Sequence, residues 1–116
     1  MLNIDESYLK PVNIESKSAI VHLNNNKFSR INTWNDFIYV KTQKEVYFIW
    51  NVFDNVTSTF QVNVVVIESS IKVLIENFEF KNSFDPTLSY LPLSVISLRL
   101  PLSSNVSINN LISSGN

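Results

Sequence analysis

Residues 45–80 read EVYFIWNVFDNVTSTFQVNVVVIESSIKVLIENFEF and hold the densest run of β-branched and aromatic side chains in the chain. Polar pairs interrupt the run at Asp54-Asn55 and Ser69-Ser70, and such side chains favour turns because they bond their own backbone. Between Phe60 and Val64 apolar and polar residues alternate, which is the pattern of a half-buried strand. The stretch therefore predicts three consecutive antiparallel strands at the centre of an all-β domain.

A helix over residues 64–80 is the competing interpretation, because several apolar residues there also recur at helical spacing. Strands are favoured because Val and Ile lose side-chain freedom in a helix and suit a pleated surface. In addition, neither Ser69 nor Ser70 is followed by the acidic or amide residue that completes a helix capping box. The change of apolar parity at Glu76-Asn77 predicts a β-bulge.

Alternating segments on both sides of the central stretch predict further strands. They are Lys17–Leu23, Lys27–Thr33, Phe37–Lys41, Ser94–Leu102 and Val106–Ile112. Turn signals roughly every 8–12 residues are typical of a β-sandwich, so we predict a sandwich or jelly-roll-like fold of about eight short antiparallel strands. A small closed barrel is the alternative.

No internal repeat or linker is apparent in the sequence. We therefore predict that residues 1–116 form a single β-rich domain. Within it, residues 1–16 are predicted as an extended N-terminal arm because they are sparse in apolar residues and include a proline. Residues 103–116 are predicted as a C-terminal edge strand and a polar tail.

The composition argues against several classes of function. Nine basic and ten acidic residues give a net charge of −1, so no basic patch is available for phosphates and we predict no nucleic-acid partner. The chain has no Cys and a single Gly, Gly115, which excludes thiolate chemistry and glycine-rich phosphate loops. No apolar run is long enough to span a bilayer, so we expect no membrane insertion.

Catalytic and metal-binding residues are equally hard to find in the sequence. His22 is the only histidine, and no second His or Cys could share a metal with it. The ten carboxylates show no spacing that pairs two of them across a cleft, and there is no nucleophile-elbow or calcium-loop motif. We therefore predict a non-enzymatic protein with no metal and no cofactor.

The segment Glu45–Phe53 has apolar residues on both faces when it is read as one strand. Since one small domain covers a single sheet face more easily than both, the second face is predicted to meet another protein. Its candidate interface residues are Tyr47, Ile49, Trp50 and Phe53. We expect a structural or assembly protein that forms a homo-oligomer or contacts other structural proteins. A composition rich in Asn, Ile and Lys and poor in Gly is typical of AT-rich genomes, which makes a virus or phage particle the expected setting.

Two alternatives remain open at this point. Trp34, Asp36 and Tyr39 could form a carbohydrate-binding or receptor-binding site, because an exposed aromatic ring beside a carboxylate suits a sugar. An enzyme whose site is assembled between subunits is the other alternative. Beyond a possible virion, the sequence indicates no particular compartment.

Overall fold

The computed structural model describes residues 3–5, 12–33, 37–58, 63–82 and 94–114. These residues form 11 β-strands and no helix, which confirms the all-β prediction and excludes the helix considered for residues 64–80. The strands are β1 Asn3–Asp5, β2 Val12–Ser16, β3 Val21–Asn24, β4 Lys27–Thr33, β5 Ile38–Thr42, β6 Glu45–Ile49, β7 Val52–Ser58, β8 Asn63–Glu68, β9 Lys72–Lys81, β10 Ser94–Arg99 and β11 Asn105–Ser114. Within these ranges, no helix exists that is long and apolar enough to cross a membrane.

Every pairing between these strands is parallel. The predicted antiparallel sandwich or jelly roll is therefore wrong. Strands that are neighbours in the chain do not pair with each other: β3 pairs with β6, and β4 pairs with β7. The short polar separators thus carry the chain around a corner and do not reverse it into a hairpin.

The chain winds in coils, and each coil has three strand segments that lie on the matching segments of the next. The first coil consists of β2, β3 and β4, and the second of β5, β6 and β7. The third and fourth coils begin with β8 and β10, while β9 and β11 each bend through a corner and supply both remaining segments. Parallel strands stacked coil upon coil form a parallel β-helix.

Residues one coil apart share a column. Val21, Val46 and Val73 occupy one inward column, spaced by 25 and 27 residues. Phe28, Phe53 and Phe80 occupy another with the same spacing. The other two sides of each coil supply the long crossover that parallel neighbours require. The structure therefore has an internal repeat, one coil of 25 or 27 residues, that was not apparent in the sequence.

Inward side chains from the three sides meet in one apolar core. Its centre is aromatic and comprises Phe28, Phe37, Phe48, Phe53, Phe78 and Phe80. Phe53 is fully buried, with its ring centroid 4.7 Å from that of Phe28 and 5.4 Å from that of Phe78. Large side chains such as these contribute most of the apolar area that folding removes from water.

Hydroxyl groups link successive coils at the corner between the first and second sides. Thr42 Oγ1 donates to the Ala19 carbonyl at 2.6 Å, and Ser70 Oγ donates to the Lys44 carbonyl at 2.6 Å. Ser104 Oγ donates to the Ser70 carbonyl at 2.7 Å. Each hydroxyl thus adds a side-chain hydrogen bond to a corner carbonyl of the preceding coil.

Buried asparagines occupy the corner between the second and third sides. Asn26 Nδ2 donates to Asn51 Oδ1 at 2.9 Å, and Asn51 Nδ2 donates to the Leu23 carbonyl at 2.7 Å. The corner at Trp50-Asn51 also divides the predicted single strand Glu45–Phe53 into β6 and β7. In the next coil, the bulge predicted at Glu76-Asn77 is the equivalent corner, with Asn77 at φ 53°.

Candidate interaction surface

The outer face of the second side of the coil carries a group of apolar and aromatic side chains. The core residues of β3, β6 and β9 alternate with residues that point outward, because successive side chains of a strand face opposite ways. One outward column contains His22, Tyr47 and Leu74. We define the platform by its outward residues and the adjoining corner residue: His22, Tyr47, Ile49, Trp50 and Leu74.

The Tyr47 side chain contacts three neighbouring side chains. The His22 ring stacks on it with centroids 4.8 Å apart and planes 9° from parallel, while Lys72 Nζ lies 5.6 Å from the ring centroid. The Tyr47 hydroxyl donates to Glu45 Oε2 at 2.8 Å. The stacked His22 ring occupies one face of Tyr47, so a sugar ring cannot stack on that face. The outer edge of the Tyr47 ring remains as ordered, amphipathic contact area.

Trp50 is the unusual residue of the platform. It takes the left-handed backbone conformation at φ 59°, as do Asn25, Asn77 and Asn110 at the equivalent corners of the other coils. Asparagine tolerates this conformation, whereas for a bulky residue it costs roughly 1–2 kcal/mol. The Trp50 side chain nevertheless remains 60% exposed, so core packing does not explain its presence. Strain of this kind is characteristic of functional sites.

The structure brings three of the four predicted interface residues together. Tyr47 and Ile49 lie on the outer face of β6 and Trp50 lies at the adjoining corner. Phe53 is fully buried in the core and does not belong to the platform. His22, the only histidine, is exposed and joins the platform through its stack on Tyr47.

Leu74 and the special position of Trp50 were missed by the sequence reasoning. A tryptophan in a turn carries no local signal for positive φ, because asparagine and glycine are the residues expected there. The available signal was the alignment of Trp50 with Asn25 and Asn77, at spacings of 25 and 27 residues. That alignment depends on recognising the coil repeat.

Charged residues of alternating sign occupy one column on the outer face of the first side. The column runs Glu15, Lys41, Glu68 and Arg99 through successive coils. Arg99 Nη1 lies 2.8 Å from Glu68 Oε1, and the Tyr39 hydroxyl donates to Glu68 Oε2 at 2.8 Å. Opposite charges on adjacent strands stabilise the pairing, and we assign this column a structural role.

These contacts shift the pKa values of two groups in opposite directions. The hydrogen bond from Tyr39, followed by that from Arg99, lowers the pKa of Glu68, although desolvation opposes the shift. The hydrogen bond to Glu68, followed by desolvation, raises the pKa of Tyr39. The ionised carboxylate and the protonated phenol are therefore the forms that the folded state stabilises.

We expect Glu68→Gln to remove part of the pH dependence of stability. Because the pKa of Glu68 is lowered in the folded state, its contribution is present above the ordinary glutamate pKa and disappears as the pH falls through the lower, folded-state value. Urea unfolding of both proteins between neutral and acidic pH should therefore show a stability difference that shrinks on acidification. In the variant, the pKa of Tyr39 should fall back toward its ordinary value, because no carboxylate at position 68 favours the protonated phenol.

Glu79→Gln is the matched control for the loss of one carboxylate, because the Glu79 contact with Lys81 is longer, at 3.7 Å. Its stability difference from the wild type should be small, as is usual for surface ion pairs. A Glu68→Gln protein whose stability differs from the wild type by the same amount at every pH would contradict the assignment.

The residues of the carbohydrate-binding alternative are not brought together by any described contact. The Tyr39 hydroxyl is engaged with Glu68, whereas Trp34 and Asp36 lie outside the described residues. Among the side chains that the structure does describe, no group of three or more His, Cys, Asp or Glu could hold a metal ion. Comparisons of the chain with protein-family models, with curated proteins and with solved structures found no match.

Proposed function

We propose that this chain is a non-enzymatic structural protein that joins an assembly through protein–protein contacts made by the platform. The observation that carries the proposal is Trp50, an exposed aromatic residue held in a backbone conformation for which the other three coils use asparagine. Residues with strained backbones cluster at functional sites, and at Trp50 the strain coincides with an exposed aromatic ring. Tryptophan is also among the residues that most often dominate the binding energy of protein interfaces.

The surroundings of Trp50 support a protein partner in preference to a sugar. The Tyr47 ring is stacked on His22 and has the Lys72 ammonium 5.6 Å from its centroid, so neighbouring side chains already engage its aromatic surface. Glu45 and Lys72 flank the apolar residues. An apolar and aromatic centre with charged residues around it has the anatomy of a protein interface.

The coil architecture suits a structural role. Each strand bonds to the coil before or after it, and corner residues such as Thr42 and Asn51 add bonds between coils. Such a framework presents the platform as a pre-ordered surface, which reduces the entropy lost on binding. The setting that we propose, a virus or phage particle, rests on composition alone.

The first test of this proposal is Trp50→Asn. We expect the free energy of unfolding to change by less than about 1 kcal/mol, because relief of backbone strain offsets the lost contacts of a mostly exposed ring. Binding to the partner should weaken about 30-fold, since an interface tryptophan typically contributes about 2 kcal/mol. Urea unfolding and titration calorimetry measure the two quantities.

The partner is found with a photo-crosslinking amino acid at position 50 and, separately, at position 30. Arg30 takes the same backbone conformation, at φ 55°, on another side of the coil, which makes Arg30→Asn the matched control. A protein captured only from position 50 is purified for the titration, and Arg30→Asn should bind it like the wild type. If Trp50→Asn instead loses about 3 kcal/mol or more, as buried tryptophans do, Trp50 is a packing residue and the proposal fails.

A further inference from the structure

The last coil leaves apolar residues uncovered at one end of the β-helix. Val106 and Ile108 continue the inward columns of Val73 and Ile75, yet both are 41% exposed, whereas Val73 and Ile75 are at most 1% exposed. Leu111 continues the inward corner column of Asn51 and is 54% exposed. β11 lies along β9 on one edge, and no strand among the described residues pairs with its other edge.

At the opposite end, one side of the first coil is covered by a further strand. Val21, Phe28 and Ile31 of the first coil are 6%, 1% and 1% exposed. β1 pairs with the outward edge of β4 and so occupies one of the three sides at that end. A head-to-tail stack of two copies would have to displace β1, whereas contact between two C-terminal coils displaces nothing that the structure describes.

The sequence of β11 is compatible with its own copy. Its ten residues, NVSINNLISS, include no charged residue and no proline. Natural edge strands normally carry Lys, Pro or a bulge that prevents pairing with another chain. In an antiparallel pair about a two-fold axis, each residue i faces a residue j of the other copy while j faces i, and residues near the axis face their own copies, so a charge near the axis would meet its like. β11 lacks that barrier.

We propose that the C-terminal coil binds the C-terminal coil of a second copy, with β11 antiparallel to β11 about a two-fold axis. The contact pairs the edge of β11 that no described strand occupies, and it covers Val106, Ile108 and Leu111, which are 41%, 41% and 54% exposed. Strand addition at an open edge supplies main-chain hydrogen bonds, and the apolar columns supply burial. This surface is separate from the platform, so each can be tested independently.

The test begins with the mass of the full chain, measured by light scattering and sedimentation across the micromolar range. We expect a dimer that Ile108→Lys weakens at least about 100-fold, because the substitution buries an ammonium group without a partner in each half of the contact. Ile20→Lys is the matched control: Ile20 is 53% exposed on the first coil, and its variant should stay dimeric. The circular dichroism spectra of both variants should match the wild type, and the melting temperature of Ile108→Lys should match that of the wild type at concentrations low enough to dissociate the dimer, which separates dissociation from unfolding.

Crosslinking through introduced cysteines determines the orientation, since the chain has none of its own. With a short bis-maleimide, Asn109→Cys at the middle of β11 should form a covalent dimer, whereas His22→Cys on the first coil should not. The proposal is overturned if the chain is a strict monomer across the concentration range, or if Ile108→Lys leaves the dimer intact. It is also overturned if crosslinks form only when Asn109→Cys and His22→Cys chains are mixed, because that result indicates head-to-tail stacking. A Trp50→Asn protein that stays dimeric shows that this contact does not depend on the platform.

Discussion

Phe53→Ala is expected to lower the free energy of unfolding by about 3–5 kcal/mol, toward the upper end of what a buried phenylalanine contributes. Phe53 is fully buried, and its ring lies within 6.4 Å, between centroids, of five other phenylalanine rings. Those rings are attached to strands that the coil-to-coil hydrogen bonds hold in place. The cavity therefore cannot close by a shift of one strand, and its cost remains.

Urea unfolding followed by circular dichroism measures this loss. Phe53→Leu keeps most of the volume and should lose about a third as much. Val52→Ala, on the adjacent and outward-facing position, should lose less than about 1 kcal/mol. If Phe53→Ala is as stable as the wild type, Phe53 is not the centre of the core, and the interface role predicted from the sequence regains its basis.

The corner at Trp50-Asn51 explains why Phe53 was assigned to the wrong surface. In a single strand from residue 45 to 53, Phe53 shares a face with Tyr47 and Ile49, because alternate residues point the same way. The left-handed conformation of Trp50 turns the chain instead, and the residues after the corner follow a new parity. Phe53 then points inward, and Trp50 leaves the inward set of Val46 and Phe48.

Local patterns predicted some of the elements but not their arrangement. The strand Lys27–Thr33 and the turn at 69–70 were predicted at their observed places, because alternation and turn residues are local properties, whereas the turn predicted at Asp54-Asn55 lies within β7. A two-residue polar separator fits a hairpin as well as a corner. Since hairpins are the commoner result, the local reading favoured antiparallel pairs and missed the parallel coils.

The sequence does contain a signal for the parallel arrangement, but only between residues that lie one coil apart. The inward triplets Val21, Val46, Val73 and Phe28, Phe53, Phe80 recur with identical spacings. In a stacked fold each repeat covers the next, so such a period of about 20–50 residues is the signal to seek first. The repeat is hard to see in the sequence because one column can hold polar residues in some coils and apolar residues in others. The corner column, for example, holds Asn26 and Asn51 in the first two coils and Phe78 in the third.

Asn51→Leu replaces a polar residue of this column by an apolar one, and we expect it to lower the free energy of unfolding by about 3 kcal/mol. Asn51 is fully buried; its Oδ1 accepts from the backbone and side-chain nitrogens of Asn26 at 3.2 and 2.9 Å, and its Nδ2 donates to the Leu23 carbonyl at 2.7 Å. Leucine is close in size to asparagine but makes none of these bonds. The polar groups of the neighbouring coil therefore lose partners while remaining buried.

Comparison with Phe78 and Leu111 sharpens the prediction. These apolar residues occupy the same column in the third and fourth coils, so the corner geometry itself accepts an apolar side chain. A loss of stability in Asn51→Leu therefore measures the hydrogen bonds to Asn26 and Leu23 rather than a steric misfit.

Asn109→Ala, which removes an exposed amide that donates to Ser107, should change stability by less than about 0.5 kcal/mol. If Asn51→Leu unfolds at the same urea concentration as the wild type, the buried asparagines do not stabilise the stacking of the first two coils, and apolar burial alone holds that corner together.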